Sequence, residues 1–311
     1  FRVLRLGNPG VNNQNEIDGQ GAAALAASLN FTQLRELSLV GNPIGDAGLE
    51  SLAASDRLPQ LDALQLVAAE ITAAGATALA QSSLLAQIRE LGLGGNEIGP
   101  AGLKALVDSP RIEQLRLLSL GSNSLGAEGA AILAGSPRLA KLRTLKLRFN
   151  DLGPEGAEAL AESPHLNQLR ELNVGSNRLQ AAGVEALVES PRLTQLRSLD
   201  VSNSQIGDEG LESLLSSRRL SQLRKLDLHV NQLGDAGATA LAACPQVARL
   251  KTLDLESNQI GDQGASALAS SPYLNQLSSL RLRGNPIGDA ARLTLTARFG
   301  SGVVFDRRKP E

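Results

Sequence analysis

Asp200, Asp227 and Asp254 stand 27 residues apart and are followed by Arg281 at the same interval, while His229, Glu256 and Arg283 form a second such series two residues later. An imidazole among carboxylates could do three kinds of chemistry. The carboxylates favour the protonated ring, which would raise the pKa of His229 and make binding sensitive to pH. One histidine with several carboxylates could also hold a divalent cation. That needs ligands converging at controlled distances, whereas successive strands would spread these groups along a sheet, so no metal site is expected. Catalysis needs a nucleophile beside the base, and no nucleophile elbow accompanies His229 or the turn-borne His165. No phosphate-binding Gly-x-x-x-x-Gly-Lys-Ser/Thr sequence occurs, and no motif asks for a cofactor. A noncatalytic surface remains, in which the acidic groups suit a basic segment of another protein and Arg281 and Arg283 suit an acidic or terminal-carboxylate element.

A second group is Lys146, Arg148 and Phe149. Lys146 and Arg148 could pair with a carboxylate or phosphate of a partner, or stay solvated. Aromatic residues make up only 2% of the chain, so Phe149 is a notable choice. It is readable as an exposed interface anchor or as a side chain tucked beneath the turn. Ahead of this group the equivalent positions are small and nearly uncharged: Ser38, Val40, Gly92, Gly94, Ser119 and Gly121.

These residues are positioned by a repeat. Asparagine stands at 15, 42, 96, 123, 150, 177, 231, 258 and 285, and only Ala69 and Ser204 interrupt the 27-residue ladder. Around Asn150 the block reads Leu142, Leu145, Leu147, Asn150, Leu152, Gly156 and Leu160. Alternation through 145–148 predicts a short strand with leucine inward and Lys146 and Arg148 outward. Gly156 to Ala161 predicts a short helix, and phrases such as Gly237-Ala-Thr-Ala-Leu-Ala242 supply good helix formers small enough for close packing. Ser-Pro pairs starting at 109, 136, 163, 190 and 271 mark the turn out of each helix. Each Asn is expected to turn inward and bond backbone groups in the bend after the strand. Ser204 can replace part of that bonding and Ala69 none, which predicts a looser turn in the third repeat. Stacking such blocks gives a parallel sheet on a concave face with helices on the convex one.

Leu115-x-x-Leu118-x-Leu120-x-x-Asn123 resembles the signature of the leucine-rich repeat family, and comparable matches cover roughly residues 25–290. The helix-containing unit is similar to the ribonuclease-inhibitor type. The Gly-Ala-x-Ala-Leu-Ala phrase also resembles bacterial GALA repeats, although the unit is longer than theirs and no F-box-like segment accompanies it. The resemblance implies an α/β fold, a curved right-handed solenoid. It further implies a protein-binding scaffold or recognition module, with two other roles open: the regulatory or substrate-recognition part of a larger enzyme, and a structural spacer or assembly protein.

The repeat predicts a single domain over 1–311, with about 1–20 an atypical first repeat and 292–311 a C-terminal cap. Leu4 and Leu6 suggest an opening strand, Pro9 to Asn15 an enlarged turn, and Val303 to Phe305 a last strand before the charged tail from Asp306 to Glu311. Thirty Lys plus Arg against 32 Asp plus Glu give a net charge of -2, which supplies no global attraction for nucleic acid or anionic membrane. Arg35, Arg89, Arg116, Arg143, Arg170, Arg197, Arg224 and Lys251 form a basic ladder before the strands, read as long side chains covering the sheet edge. Cys244, the one cysteine, allows no intrachain disulfide and occupies a slot that is serine at 217 and 271. A packing role is expected for it. The composition is compatible with the cytoplasm, and secretion is not excluded.

Overall fold

The computed structural model describes residues 2–7 and 16–305. The enlarged turn from Pro9 to Asn15, the first rung of the asparagine ladder and the tail from Asp306 lie outside them. The chain divides into two compact units. One runs to Leu152 and includes Ser163–Leu169, and the other comprises Gly153–Glu162 and everything from Arg170 onward.

Among the described residues the first unit has six three-residue strands: β1 (Val3–Arg5), β2 (Glu36–Ser38), β3 (Ala63–Gln65), β4 (Glu90–Gly92), β5 (Leu117–Ser119) and β6 (Thr144–Lys146). They pair in parallel and in sequence order, with Leu37, Leu64, Leu91, Leu118 and Leu145 in one register row. All five leucines are buried, so the alternation read from the sequence does set which side faces the core. The helices are α1 (Gly19–Ala27), α2 (Gly45–Ala54), α3 (Ala73–Gln81), α4 (Gly99–Asp108) and α5 (Gly126–Gly135). Small residues let them pack closely: a Cβ on Gly48 of α2 would come within 3.0 Å of the Ala22 Cβ of α1.

The second unit repeats the design. Its helices are α6 (Gly153–Glu162), α7 (Gln180–Glu189), α8 (Gly207–Ser216), α9 (Asp235–Ala243), α10 (Asp262–Ser270) and α11 (Asp289–Phe299). Its strands are β7 (Glu171–Asn173), β8 (Ser198–Asp200), β9 (Lys225–Asp227), β10 (Thr252–Asp254), β11 (Ser279–Arg281) and β12 (Val303–Val304). Here Leu172, Leu199, Leu226, Leu253 and Leu280 are fully buried. The helix expected over 156–161 extends a few residues further toward its N-terminus, because Pro154 is tolerated in the first helical turn.

Three side-chain ladders join successive repeats. The asparagines behave as expected. Asn96 Nδ2 donates to the carbonyls of Leu93 and of Leu66, one repeat earlier, and its Oδ1 accepts from the backbone N–H groups of Ala69 and Ile71. The turn at Ala69 is thus served by its successor and is not looser. The deficit falls one repeat earlier, where the Asn42 N–H turns back to Leu39 O and the Ile44 N–H to Asn42 O. Ser204 keeps a partial role, its hydroxyl donating to Ser202 O at 3.3 Å.

The serine of each Ser-Pro pair does more than precede a proline. Ser109 Oγ donates to Ala80 O, the C-terminal end of the preceding repeat's helix, at 2.5 Å and accepts from the Arg111 N–H. Ser163 and Ser190 make the same backward bond, as does Ser217, which precedes Arg218 and no proline. Cys244 fills this slot, its Sγ 3.5 Å from Leu215 O, and Arg298 fills it in α11 by donating to Ala269 O at 2.5 Å.

A third ladder points forward. Gly234, Gly261 and Gly288 sit at the N-caps of α9, α10 and α11, where they offer no capping side chain. Their N–H groups instead donate to Asp208, Asp235 and Asp262, each in the first turn of the helix one repeat earlier, at 2.6–2.7 Å. Carboxylates at these N-termini also meet the positive end of the helix dipole.

Candidate functional site

Strand residues that face away from the helices form columns across each unit. In the second unit the last strand position reads Asn173, Asp200, Asp227, Asp254 and Arg281, with Asp200, Asp227, Asp254 and Arg281 aligned by strand pairing. The sequence placed these acids on an outward face, and they do point there. They are nevertheless recessed: the residues Asp200, Asp227 and Asp254 are only 8%, 9% and 4% exposed. The reason is local. Each side chain folds back to accept the backbone N–H two residues on, from Gly175, Ser202, His229 and Glu256 for positions 173, 200, 227 and 254. This closes the strand end as an Asx turn.

The three carboxylates differ in what neutralises them. Arg281 Nη1 lies 3.2 Å from Asp254 Oδ2, a permanent cation on a carboxylate with little solvent access. Arg283 is paired more loosely with Glu256, at 3.9 Å. His229 Nδ1 lies 2.7 Å from Asp227 Oδ1, a titratable partner. Among the described residues Asp200 receives uncharged donors, the N–H and hydroxyl of Ser202, both on Oδ1. Gly175 makes room for this last pair, since a Cβ there would fall 2.8 Å from Asp200 Oδ1.

The hydrogen bond to Asp227 raises the pKa of His229 above its ordinary 6.5; partial burial opposes this, and the charges of Asp227, Asp200 and Asp254 add to the rise. Burial pushes the Asp227 carboxyl up, but the bonds from the ring and backbone of His229, with the charges of His229 and Lys225, hold it below its ordinary 3.8.

Ligand atoms of Asp227, His229 and Asp254 all lie within 4.8 Å of one another, so the sheet does not spread them as the sequence argument supposed. They could hold a cation in principle, yet Asp227 is already engaged with the imidazole and Asp254 with a guanidinium. Ser202 Oγ donates to Asp200, and no clear catalytic machinery is assembled among the described residues.

In the first unit Lys146 ends β6, and Arg148 lies just beyond it with its guanidinium carbon 5.2 Å from the Phe149 ring centroid. Of the two readings of Phe149 the exposed one describes the molecule, at 57% exposure. The same turn slot in the second unit holds Val230, 40% exposed and beside His229, which the sequence reading passed over. Both have a left-handed backbone, φ 57° at Phe149 and 54° at Val230, in a slot filled by glycine at 41, 95 and 284. A β-branched residue there is costly. The signal was present in the sequence as the one valine in a column of mostly small residues.

The leucine-rich repeat family model, described as "Leucine Rich repeat", matches residues 32–53, 88–107, 138–161, 165–188, 193–215, 221–242 and 250–269, and the chain is a leucine-rich-repeat protein. Its fold is similar to that of an internalin (inlF) from Listeria monocytogenes, with 19% identity, 95% of this chain and 97% of the other covered, and a TM-score of 0.51. It is also similar to a structure of the Rad7 and Elc1 complex in yeast, with 20% identity, 92% of this chain and 74% of the other covered, and a TM-score of 0.60. In sequence, no curated protein matches it. Leucine-rich-repeat folds generally serve protein–protein recognition.

Proposed function

We propose that the chain is a noncatalytic recognition module of the ribonuclease-inhibitor type that binds a basic segment of another protein along the acidic column of the second unit. The α-helix in each repeat supports the subtype, and the Gly-Ala-x-Ala-Leu-Ala phrase supports a bacterial, GALA-like relationship. One observation carries the binding reading: Asp200 and Asp227 lie side by side and, among the described residues, neither is in ion-pair contact with a lysine or arginine, while Asp254 beside them has Arg281. A recessed carboxylate attracts a cation more strongly than a solvated one, because less water screens it. Val230 adds an exposed apolar contact beside His229. Lys146, Arg148 and Phe149 form a separate contact candidate in the first unit.

The test exploits Asn173, which closes the same turn without a charge. Asp200→Asn with Asp227→Asn should preserve the fold and reduce binding of a labelled hexa-arginine peptide at least about tenfold, a loss of about 1.4 kcal/mol, read by fluorescence anisotropy. Equal binding by the double variant, or equal binding of hexa-glutamate by the wild type, would overturn the assignment.

A further inference from the structure

The acidic column contains its own competitor for a cation. We propose that His229 gates it by proton: protonated, the imidazole is the internal counter-cation of Asp227, and neutral, it leaves that charge, beside Asp200, to a guanidinium or ammonium group of a protein partner. This rests on the acidic column being the binding surface. What it adds is the control of that surface and its direction with pH.

The geometry gives His229 this role. Its ring nitrogen and its own backbone N–H both reach Asp227 Oδ1, at 2.7 and 3.2 Å, so the ring is held over the carboxylate from a fixed turn. Neighbouring turns hold that backbone too: the His229 carbonyl accepts from the Asn203 N–H and from Asn231 Nδ2. The charged groups around the ring come from three strands and the turns after them. The preceding repeat contributes Asp200, its own repeat Asp227 and the following repeat Asp254, while Lys225 acts on Asp227 and Glu256 follows in the turn after Asp254. Arg281 and Arg283, one strand further, are tied to Asp254 and Glu256. His229 is therefore the titratable cation on the column, and Asp227 the carboxylate whose counter-charge it controls.

A neutral imidazole can still donate one hydrogen bond to Asp227, but it no longer cancels the carboxylate's charge. Two adjacent carboxylates, Asp200 and Asp227, then face an incoming cation. At lower pH the imidazolium repels that cation and occupies one of its acceptors. Proton release and cation binding are linked, so affinity for a basic partner rises with pH through the His229 titration.

The experiment measures hexa-arginine affinity from pH 5.5 to 8.5 at constant ionic strength. In the wild type it should rise about tenfold over this range, the size expected when bound peptide lowers the His229 pKa by about one unit. His229→Gln and Asp227→Asn should each flatten the rise to less than about twofold, a change too small for such a linkage. His165→Gln, the other histidine, should leave it intact, and the His229 ring resonances should show its pKa falling when peptide is bound. A flat or inverted wild-type profile with binding present, or a full rise retained in His229→Gln, overturns the gate while the binding surface stands. Absence of hexa-arginine binding across the whole range overturns both.

Discussion

One slot, the last residue of the strand, is Ser38, Gln65, Gly92, Ser119 and Lys146 in β2 to β6 of the first unit and Asn173, Asp200, Asp227, Asp254 and Arg281 in β7 to β11 of the second. The backbone is the same in both. In the first unit the slot has no common chemistry, and the Gln65 side chain lies across Gly92, where an added Cβ would meet its Oε1 at 1.9 Å. In the second, four successive side chains present an oxygen to the same N–H two residues on. The leucines and asparagines hold the repeat in either case. The slot is therefore free to be neutral or charged, and where it is charged it is also part of the turn.

If the scaffold is shared, Asn123→Ala in the first unit and Asn258→Ala in the second should each cost roughly 3 kcal/mol in urea unfolding, since each strands several buried backbone groups. Very different costs would break the comparison at its base. The next effect separates the units. Gly175→Ala should destabilise by roughly 2 kcal/mol because its Cβ would press on Asp200 and Ser202. Gly94→Ala, at the equivalent slot, meets nothing closer than Gly121 O at 3.3 Å and should cost well under half as much.

Asp200→Ala should cost about 1–2 kcal/mol through the unpaired Ser202 donors, and Asp200→Asn clearly less. Equal costs would mean that the charge, and not the turn, stabilises this position. His229→Gln should have a pH-dependent effect that no first-unit substitution at this slot shows. The His229 pKa is raised on folding, so its contribution is complete below 6.5 and disappears as pH rises through the folded value. The Asp227 pKa is lowered, so its contribution is complete above 3.8 and disappears as pH falls through its folded value. The stability lost in His229→Gln should thus be greatest between pH 3.8 and 6.5 and shrink toward pH 9, measured by urea midpoints. The smallest effect is at Cys244. Replacing its long sulfur contact with the serine used elsewhere in that ladder should stabilise the second unit by about 0.5–1 kcal/mol.

The strands, helices and asparagine turns were legible because each depends on a residue type recurring at one fixed interval. The serine ladder was equally regular, but Ser109-Pro110 invites an explanation from proline alone, and the hydroxyl's partner lies 29 residues back. Asp200, Asp227 and Asp254 were legible as a charged column. Their burial was not, because it comes from side chains curling onto their own backbone. That His229 lies on Asp227 rather than between strands likewise depends on the turn two residues after the strand. At Phe149, sequence left two orientations open; the left-handed backbone turns the ring outward.

The forward-pointing aspartates give the second unit a direction. Asp208, Asp235 and Asp262 cap the helix that follows, whereas the asparagines and serines mostly satisfy the repeat that precedes. Cutting this unit from its N-terminal side would strip a helix of its cap, and cutting from the other side would strip turns of their asparagine partners and helix ends of their hydroxyl donors. No internal repeat is complete alone, and the two kinds of damage differ. Unfolding that starts from opposite ends should therefore cross different barriers, so two fragments of equal length need not be equally stable.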